Sequence, residues 1–392
     1  MRVILKILLC IAFIASNSNA QLQTGSFEFE GRTRNYEVYL PQNFQSNMPV
    51  VISLHGYTET IQWYKGYTLL HEFADTSGFI TVYPAAIDKS WNSGLLYPGM
   101  PYIDTTVNDV GFISALIDTL KDKYDIDLSR VYACGYSLGG EMTYRLGLEL
   151  GYRFAAIASI TGLINNVSGN LDGPIRPIPI LHIHGTEDTY ETWDGVKGNL
   201  WSVPETIDYW LEKNDCALPA DTVSLPDLDP TDGSTVEKIS YNNCSENSSF
   251  IFYKIQGGGH HWPDAAYDWG GGNLNRDINA NVEIWNFFQN YQNPLGIVDE
   301  GEVIPYNYAL YQNYPNPFNP TTTMEYSLPR SGDVSLTIYN LLGEEVMRIV
   351  DEYQPSGYHQ VTWNASNFAS GIYFYRLQAG DFVQTRKMVL LK

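Results

Sequence analysis

The stretch Val131-Tyr-Ala-Cys-Gly-Tyr-Ser-Leu-Gly-Gly140 decides the fold of the central part of this chain. An apolar run typical of a buried parallel strand leads into a G-x-S-x-G motif centred on Ser137, and a helical segment follows from Glu141 to Leu150. In this context the motif predicts a tight strand-to-helix turn that holds the serine with its hydroxyl exposed. The flanking glycines tolerate the close backbone approach that such a turn needs. Ser137 is therefore the candidate nucleophile.

Predicted strands and helices alternate on both sides of this motif. The predicted strands are apolar runs at 50–54, 79–83, 131–134, 155–160, 178–183 and 250–255. The predicted helices lie at 110–120, 141–150, 204–213 and 279–291. This alternation predicts an α/β fold with a mostly parallel sheet covered on both faces. Sites in such sheets lie at the carboxyl ends of the strands.

A serine hydroxyl is a weak nucleophile and needs a base that a carboxylate orients. In α/β-hydrolases the chain order is Ser, acid, His. Asp188 follows a predicted strand near 180–184, and His260 follows another near 250–255. Both fall at strand ends and in the expected order. The sequence therefore predicts a catalytic triad of Ser137, Asp188 and His260.

Neighbouring residues compete for two of these roles. Glu187 and Asp194 are rival acids, although both are less well placed than Asp188. His261 is the rival base, directly after His260. The triad template alone does not separate such neighbours.

The oxyanion hole is predicted to use two backbone N–H groups. One belongs to Leu138, the residue after the nucleophile. The other is expected in the loop after the strand that ends at Leu54, where we assign it to Tyr57. Gly56 permits a close approach there, and His55 is interpreted as a structural histidine.

A metal site built from the histidines is a weaker interpretation of the sequence than the catalytic triad. His182 and His184 alternate along one apolar strand, and no H-E-x-x-H or similar spacing accompanies them. The acids of residues 227–233 superficially resemble a calcium loop but do not occupy its ligand positions. We therefore expect no metal and no cofactor.

Composition and charge exclude some partners. The 392 residues contain 23 Lys and Arg against 44 Asp and Glu, a net charge of −21, and 44% are hydrophobic. This is a globular composition rather than a disordered one. Nucleic acid and anionic membranes attract clustered basic residues, so the acidic balance argues against both as partners.

The N-terminus is typical of an export signal. Arg2 and Lys6 precede an apolar stretch at 7–15, and small residues at 18–20 form a cleavage site. We assign residues 1–20 to a signal peptide and expect no membrane span in the mature chain.

Export bears on the cysteines, because oxidising compartments favour disulfides. Cys216 and Cys244 flank a polar segment and are predicted to pair. Cys134 lies in an apolar strand and is expected to be buried and inert.

The pattern changes after the central domain, which we place at 21–292. Residues 293–307 contain Pro, Gly and acids without a base and are interpreted as a linker. Short alternating runs at 323–328, 334–339, 359–363 and 372–377 then predict a small all-β sandwich at 308–392.

Four motifs identify this C-terminal domain. They are Tyr314-Pro-Asn-Pro-Phe-Asn-Pro320, Ile338-Tyr-Asn-Leu-Leu-Gly343, Ser370-Gly-Ile-Tyr-Phe-Tyr-Arg-Leu377 and Lys387-Met-Val-Leu-Leu-Lys392. The domain resembles the type A sorting domain of the type IX secretion system. The resemblance implies that residues 308–392 engage the secretion machinery and carry no chemistry. An ordinary carbohydrate-binding sandwich is the alternative.

The central domain also resembles a known family. Its motifs are Leu54-His-Gly56, Trp91-Asn92, Asn108-Asp-Val-Gly-Phe112, Gly135-Tyr-Ser-Leu-Gly-Gly140, Leu181-His-Ile-His-Gly-Thr186 with Asp188, and Gly257-Gly-Gly-His-His-Trp-Pro263. They resemble the polyhydroxybutyrate depolymerase and feruloyl esterase family of secreted carbohydrate esterases. The resemblance implies an α/β-hydrolase with Ser137, Asp188 and His260 as nucleophile, acid and base.

Two departures from the family pattern bear on the substrate. Paired cysteines are common soon after Trp-Asn in the family, whereas residues 93–97 here contain none. His261 stands where the family usually has a smaller residue, commonly Thr. Both lie near where an acyl or sugar group would enter, so they bear on the identity of the substrate, and His261 is a candidate substrate-binding residue. Trp91 and Trp262 are candidate aromatic walls of the substrate site, with burial in the core as the alternative.

The function expected from these features is a secreted serine esterase that removes feruloyl or acetyl groups from plant cell-wall polysaccharide. The protein would be secreted or held at the cell surface, after export through the periplasm and across the outer membrane. A polyhydroxyalkanoate depolymerase is the alternative enzyme. A catalytically inactive carbohydrate-binding protein is the alternative of another class.

Overall fold

A computed structural model describes residues 21–94, 104–171, 176–293 and 308–391, apart from residues 329, 356 and 381. The predicted signal peptide at 1–20 and nearly all of the predicted linker lie outside the described residues.

The central region is built on one ten-stranded sheet. Its strands are β1 (Gln21–Phe29), β2 (Arg32–Leu40), β3 (Val50–Leu54), β4 (Ile80–Pro84), β5 (Val131–Tyr136), β6 (Ala156–Ile160), β7 (Ile180–Gly185), β8 (Asp221–Ser224), β9 (Thr235–Tyr241) and β10 (Phe250–Gln256). The α-helices are α1 (Ile61–Thr68), α2 (Leu70–Ser77), α3 (Asp109–Tyr124), α4 (Leu138–Leu150), α5 (Val203–Lys213) and α6 (Ala280–Phe288).

The sheet order is β1-β2-β4-β3-β5-β6-β7-β10-β9-β8. The six central strands from β4 to β10 pair in parallel, and the pairs at both edges are antiparallel. This architecture confirms the predicted α/β-hydrolase fold class. The edge strands β1, β2, β8 and β9 were not predicted. They carry polar or alternating residues, unlike the continuous apolar runs of the centre.

Helices cover both faces of the sheet, and the side chains of each strand alternate between the two layers. Val131 and Ala133 of β5 pack in one apolar core with α3, α4 and α5. Tyr132 and Tyr136 face the opposite core, which α1, α2 and α6 complete. This alternation follows from the period of two along a strand.

The nucleophile helix starts earlier than predicted. It begins at Leu138 rather than Glu141, because the chain enters the helix directly from the turn at Ser137. None of the described helices is both long enough and apolar enough to cross a membrane.

The C-terminal region forms two antiparallel sheets around one apolar core. The strands are β11 (Ala309–Leu310), β12 (Thr321–Leu328), β13 (Gly332–Tyr339), β14 (Glu345–Gln354), β15 (Gly357–Asn364), β16 (Gly371–Ala379) and β17 (Phe382–Leu390). One sheet has the order β11-β12-β15 and the other β14-β13-β16-β17. The region is therefore all-β, as predicted, although β11, β14 and β17 were not foreseen.

Candidate active site

Ser137 occupies the turn between β5 and α4. Its φ is 55° and its ψ is −126°, a backbone conformation that residues other than glycine rarely adopt. The backbone is closely packed around it. A Cβ added to Gly139 would lie 2.2 Å from the carbonyl oxygen of Leu54, and one added to Gly135 would lie 2.1 Å from that of Gly139. The turn thus has the strained geometry of a nucleophile elbow.

The same packing brings together the two segments of chain that carry the predicted oxyanion donors. The contact of Gly139 with Leu54 places the loop after β3 against the first turn of α4. Tyr57 lies in this loop and Leu138 opens the helix. Within the described part of the chain, the backbone N–H groups of Tyr57 and Leu138 meet no acceptor. Both groups can therefore donate to a ligand oxygen.

The loop that carries Tyr57 is held by buried polar contacts. The N–H of Gly56 donates to Oε2 of Glu59 at 2.7 Å. Burial raises the pKa of Glu59 to about 8, and the hydrogen bond from Gly56 opposes that rise. His55 is buried, its Nε2 accepts from the N–H of Ala86 at 3.1 Å, and burial lowers its pKa to about 4. His55 is thus a neutral structural residue here, in line with the interpretation from sequence.

Asp188 and His260 form a buried acid–base pair. Nδ1 of His260 lies 2.6 Å from Oδ2 of Asp188, and the two side chains are 4% and 0% exposed. Oδ1 of Asp188 accepts from the N–H groups of Tyr190 and Glu191 at 2.8 and 2.9 Å. The carboxylate is therefore fixed by its own loop, and it orients the imidazole.

The charge state of Asp188 results from opposing effects. Burial favours the neutral acid, but the hydrogen bond from His260, its charge and that of His184 together lower the pKa of Asp188 below its usual value. The carboxylate is thus ionised at neutral pH. An ionised acid is the form that stabilises an imidazolium on His260 during catalysis.

Tyr136 connects the histidine to the nucleophile turn. This residue directly precedes Ser137, and its hydroxyl donates to the carbonyl oxygen of His260 at 2.7 Å. The two rings lie 5.1 Å apart. The hydrogen bond therefore ties the loop of the candidate base to the end of β5, where the candidate nucleophile stands.

The rival base is engaged elsewhere, and the rival acids are exposed. Nδ1 of His261 lies 2.8 Å from the hydroxyl of Tyr67, and its Nε2 lies 3.1 Å from the carbonyl of Gly272. Both ring nitrogens of His261 thus have structural partners. Glu187 and Asp194 are exposed, unlike the buried Asp188. This geometry favours Asp188 and His260 over their rivals.

Trp91 and Trp262 lie inside the protein. Both are completely buried. The indole of Trp91 donates to the carbonyl of His55 at 2.9 Å, and that of Trp262 donates to Oδ1 of Asn281 at 3.1 Å. This corrects the expectation that either residue could form a substrate wall. Trp91 instead supports the loop that carries Tyr57.

The histidines of β7 have structural contacts. Nδ1 of His182 lies 2.8 Å from the hydroxyl of Tyr144, and Nε2 of His184 lies 2.8 Å from the carbonyl of Glu191. Among the described residues, no cluster of three or more His, Cys, Asp or Glu is arranged to hold a metal ion.

Two buried carboxyl groups near the site escaped the sequence analysis. Glu141, on the first turns of α4, accepts from Oγ of Ser93 at 3.0 Å, and Glu191 accepts from the N–H of Leu163 at 2.7 Å. Burial raises the pKa of Glu141 to about 8. Burial and the charges of Glu141 and Asp188 raise that of Glu191. Their spacing from Ser137 and Asp188 was visible in the sequence, but their burial was not.

Aromatic residues at the mouth of the site were also missed. The ring of Tyr190 lies 5.2 Å from that of His260 and 5.4 Å from that of Trp269. Tyr190 is 57% exposed although its ring is large and apolar. The signal in the sequence was its position two residues after Asp188.

The predicted disulfide is present. Cys216 and Cys244 are bonded, and Cys134 is a free buried cysteine in β5. The bond joins the chain after α5 to the chain after β9.

Comparison with known proteins bears on both parts of the chain. Residues 312–391 match the family described as secretion system C-terminal sorting domain. This match confirms the predicted sorting domain and the predicted location, secreted or at the cell surface.

Curated relatives of the central region include acetylxylan and feruloyl esterases. The bifunctional acetylxylan esterase/xylanase XynS20E of Neocallimastix patriciarum is 30% identical over 233 residues, which are 59% of this chain and 31% of the relative. Feruloyl esterase B of Thermothelomyces thermophilus is 31% identical over 168 residues, 42% of this chain and 57% of the relative. The chain thus spans less than two thirds of the length of either relative. These similarities confirm the resemblance to carbohydrate esterases.

Solved structures include an acetyl xylan esterase from Aspergillus awamori. It superposes with a TM-score of 0.48 at 19% sequence identity, over 69% of this chain and 99% of that chain.

Proposed function

We propose that this chain is a secreted serine esterase that hydrolyses feruloyl or acetyl esters of plant cell-wall polysaccharide. The observation that carries the proposal is the buried Asp188–His260 pair, tied through Tyr136 to the strained turn at Ser137. The similarity to acetylxylan and feruloyl esterases supports the choice of ester.

The proposed reaction proceeds through an acyl-enzyme. His260 takes the proton of Ser137 as the serine oxygen bonds to the ester carbonyl carbon. The N–H groups of Tyr57 and Leu138 bind the oxyanion of the tetrahedral intermediate. The intermediate collapses, the C–O bond to the alcohol breaks, and His260 protonates the departing alcohol. Water, deprotonated by the same histidine, then releases the acid and restores the serine.

The sorting domain supports the proposed route and partner. We take type IX secretion machinery to be the partner of residues 308–392, with ester-bearing polysaccharide as the partner of the central domain. The match to a secretion sorting domain over residues 312–391 supports this assignment. No step of the proposed reaction uses the C-terminal domain.

The triad is tested by replacing its nucleophile. Ser137→Ala should lower kcat on methyl ferulate or p-nitrophenyl acetate by roughly 10⁶-fold. The same variant should no longer react with a fluorophosphonate probe, while the wild type and Ser224→Ala, a change on the exposed strand β8, should both react. Retained labelling of Ser137→Ala would overturn the assignment.

The ester is identified by a panel of substrates. Methyl ferulate, acetylated xylan, p-nitrophenyl acetate and hydroxybutyrate oligomers separate the candidate activities. Selective hydrolysis of the hydroxybutyrate oligomers would favour the polyester depolymerase. Failure to react with the fluorophosphonate probe and with every ester would favour an inactive binding protein.

A further inference from the structure

An exposed aromatic wall stands next to the candidate base. Tyr190 is 57% exposed, and its ring lies 5.2 Å from that of His260. Trp269 is partly exposed and lies 5.4 Å from Tyr190 and 6.3 Å from His260. Large apolar rings that remain in contact with water beside a reactive group mark a ligand-binding surface. We call Tyr190 and Trp269 the aromatic wall.

Hydrogen bonds of the catalytic loops hold Tyr190 in place. Its N–H donates to Oδ1 of Asp188 at 2.8 Å, so its backbone is fixed by the acid of the triad. The same carboxylate contacts His260 through its other oxygen. The position of the Tyr190 ring is therefore coupled to that of the base.

Trp269 is anchored from the other side. The carbonyl of Gly271 accepts from the N–H of His260 at 2.7 Å, which pins the loop that follows Trp269 to the base. A Cβ on Gly271 would lie 2.6 Å from the indole of Trp269, so the glycine provides the space that the indole occupies. Rigid aromatic rings bind with little loss of side-chain entropy.

A second group of exposed rings packs on Tyr67. Tyr267 is 39% exposed, and its ring lies 5.9 Å from that of the partly exposed Trp63. Both rings also contact Tyr67, at 5.3 and 4.9 Å. Tyr67 in turn contacts His261, which lies beside Trp269. Tyr267 and Trp63 are thus a second group of exposed rings, linked to Trp269 through the buried Tyr67 and His261.

We propose that the aromatic wall binds the alcohol part of the ester, a sugar ring of the polysaccharide, rather than the acyl group. The inference rests on the proposed function. In that reaction the protonated base gives its proton to the departing alcohol, so the alcohol side of the ester lies against His260. Tyr190 and Trp269 stand on that side. Sugar rings expose C–H faces that pack on aromatic rings, and their hydroxyls remain in water.

The test compares pairs of esters with the same acyl group. For the acyl group that the wild type cleaves, one member carries a xylo-oligosaccharide alcohol and the other carries methanol. Tyr190→Ala should raise KM for the oligosaccharide ester roughly tenfold and change KM for the methyl ester by less than about twofold. Tyr190→Phe should restore the wild-type KM, because it keeps the ring.

The control is Tyr353→Ala, which removes a tyrosine that is 68% exposed on β14 of the C-terminal region. It should leave KM for both esters unchanged. Circular dichroism and the melting temperature of Tyr190→Ala should match the wild type, since the ring is largely outside the core. The inference would be overturned if Tyr190→Ala raised KM equally for both members of the pair, or for neither.

Failure of this inference is distinguishable from failure of the proposed function. A wild type that reacts with the fluorophosphonate probe but cleaves no sugar ester would overturn the role of the wall and leave a serine esterase. A wild type without any reaction would overturn the esterase itself.

Discussion

Nδ1 of His260 lies 2.6 Å from Oδ2 of Asp188, with both side chains buried. The carboxylate fixes the orientation of the ring and stabilises its charge when the proton of Ser137 arrives. Asp188→Asn should therefore preserve the fold but lower kcat by roughly 10⁴-fold, because the amide no longer orients and stabilises the charged ring. Steady-state kinetics measure this loss.

The matched control is Glu187→Gln, which changes the exposed acid next to Asp188. It should retain wild-type kcat. If Glu187→Gln were the inactive variant and Asp188→Asn the active one, the acid of the triad would have to be reassigned.

Gly139 cannot accept a side chain. A Cβ there would lie 2.2 Å from the carbonyl oxygen of Leu54 and 2.7 Å from that of His55, and neither is the end of a side chain that could move aside. Gly139→Ala should therefore separate α4 from the loop that carries Tyr57, with loss of activity of more than about 10²-fold, the effect of losing an oxyanion donor. Fluorophosphonate labelling and thermal unfolding measure the two consequences.

Gly66→Ala is the contrasting change. Gly66 lies in α1, and a Cβ there would meet nothing within 4 Å. Alanine at this position should stabilise the protein by about 0.5–1 kcal/mol, since glycine is a poor helix former. Equal activities for the two variants would contradict the steric account of the turn.

The buried carboxyl groups predict how stability depends on pH. Burial raises the pKa of Glu141 to about 8, whereas an unfolded chain ionises near the ordinary value of 4.5. The folded state thus keeps a proton that the unfolded state loses. The free energy of unfolding should therefore fall as the pH rises from about 4.5 through 8.

Glu141→Gln removes this ionisation and keeps the side-chain size. Its free energy of unfolding should decline less steeply than that of the wild type in urea titrations at pH 5, 7 and 9. Glu212→Gln, at an 80% exposed side chain, should leave the slope unchanged. The prediction would be contradicted if the free energy of unfolding of the wild type rose between pH 7 and 9 and that of Glu141→Gln rose by the same amount.

The disulfide should stabilise the part of the sheet that lies beyond β7. Cys216 and Cys244 are separated by 28 positions, and closing a loop of this size contributes about 2–4 kcal/mol. Replacing both cysteines by serine should lower the free energy of unfolding by that amount. Urea unfolding with and without a reductant measures it.

The wild type should lose a similar amount of stability in reductant, whereas the double variant should not respond to it. Cys134→Ala serves as the control, because this cysteine is buried and unbonded. It should respond to reductant as the wild type does. If reductant also lowered the free energy of unfolding of the double variant, the loss in the wild type could not be assigned to the Cys216–Cys244 bond.

Sequence predicted the buried strands well and the edges poorly. Val50–Leu54 forms β3 with the bounds that its apolar run indicated, because a strand buried on both faces must be apolar throughout. Gln21–Phe29 forms β1 with half of its side chains exposed. Such a strand is stabilised by pairing with β2, which a local pattern does not reveal.

The sequence by itself determined the class of fold and the chemical candidates. A G-x-S-x-G turn between strand and helix, followed by an acid and a histidine at later strand ends, restricts Ser137, Asp188 and His260 to one edge of a parallel sheet. Only the tertiary structure decided which neighbours join them. It buried Trp91 and left Tyr190 exposed, and it engaged both nitrogens of His261 with Tyr67 and Gly272. Burial and hydrogen-bond partners depend on residues far apart in the chain, so they are settled only when the elements pack.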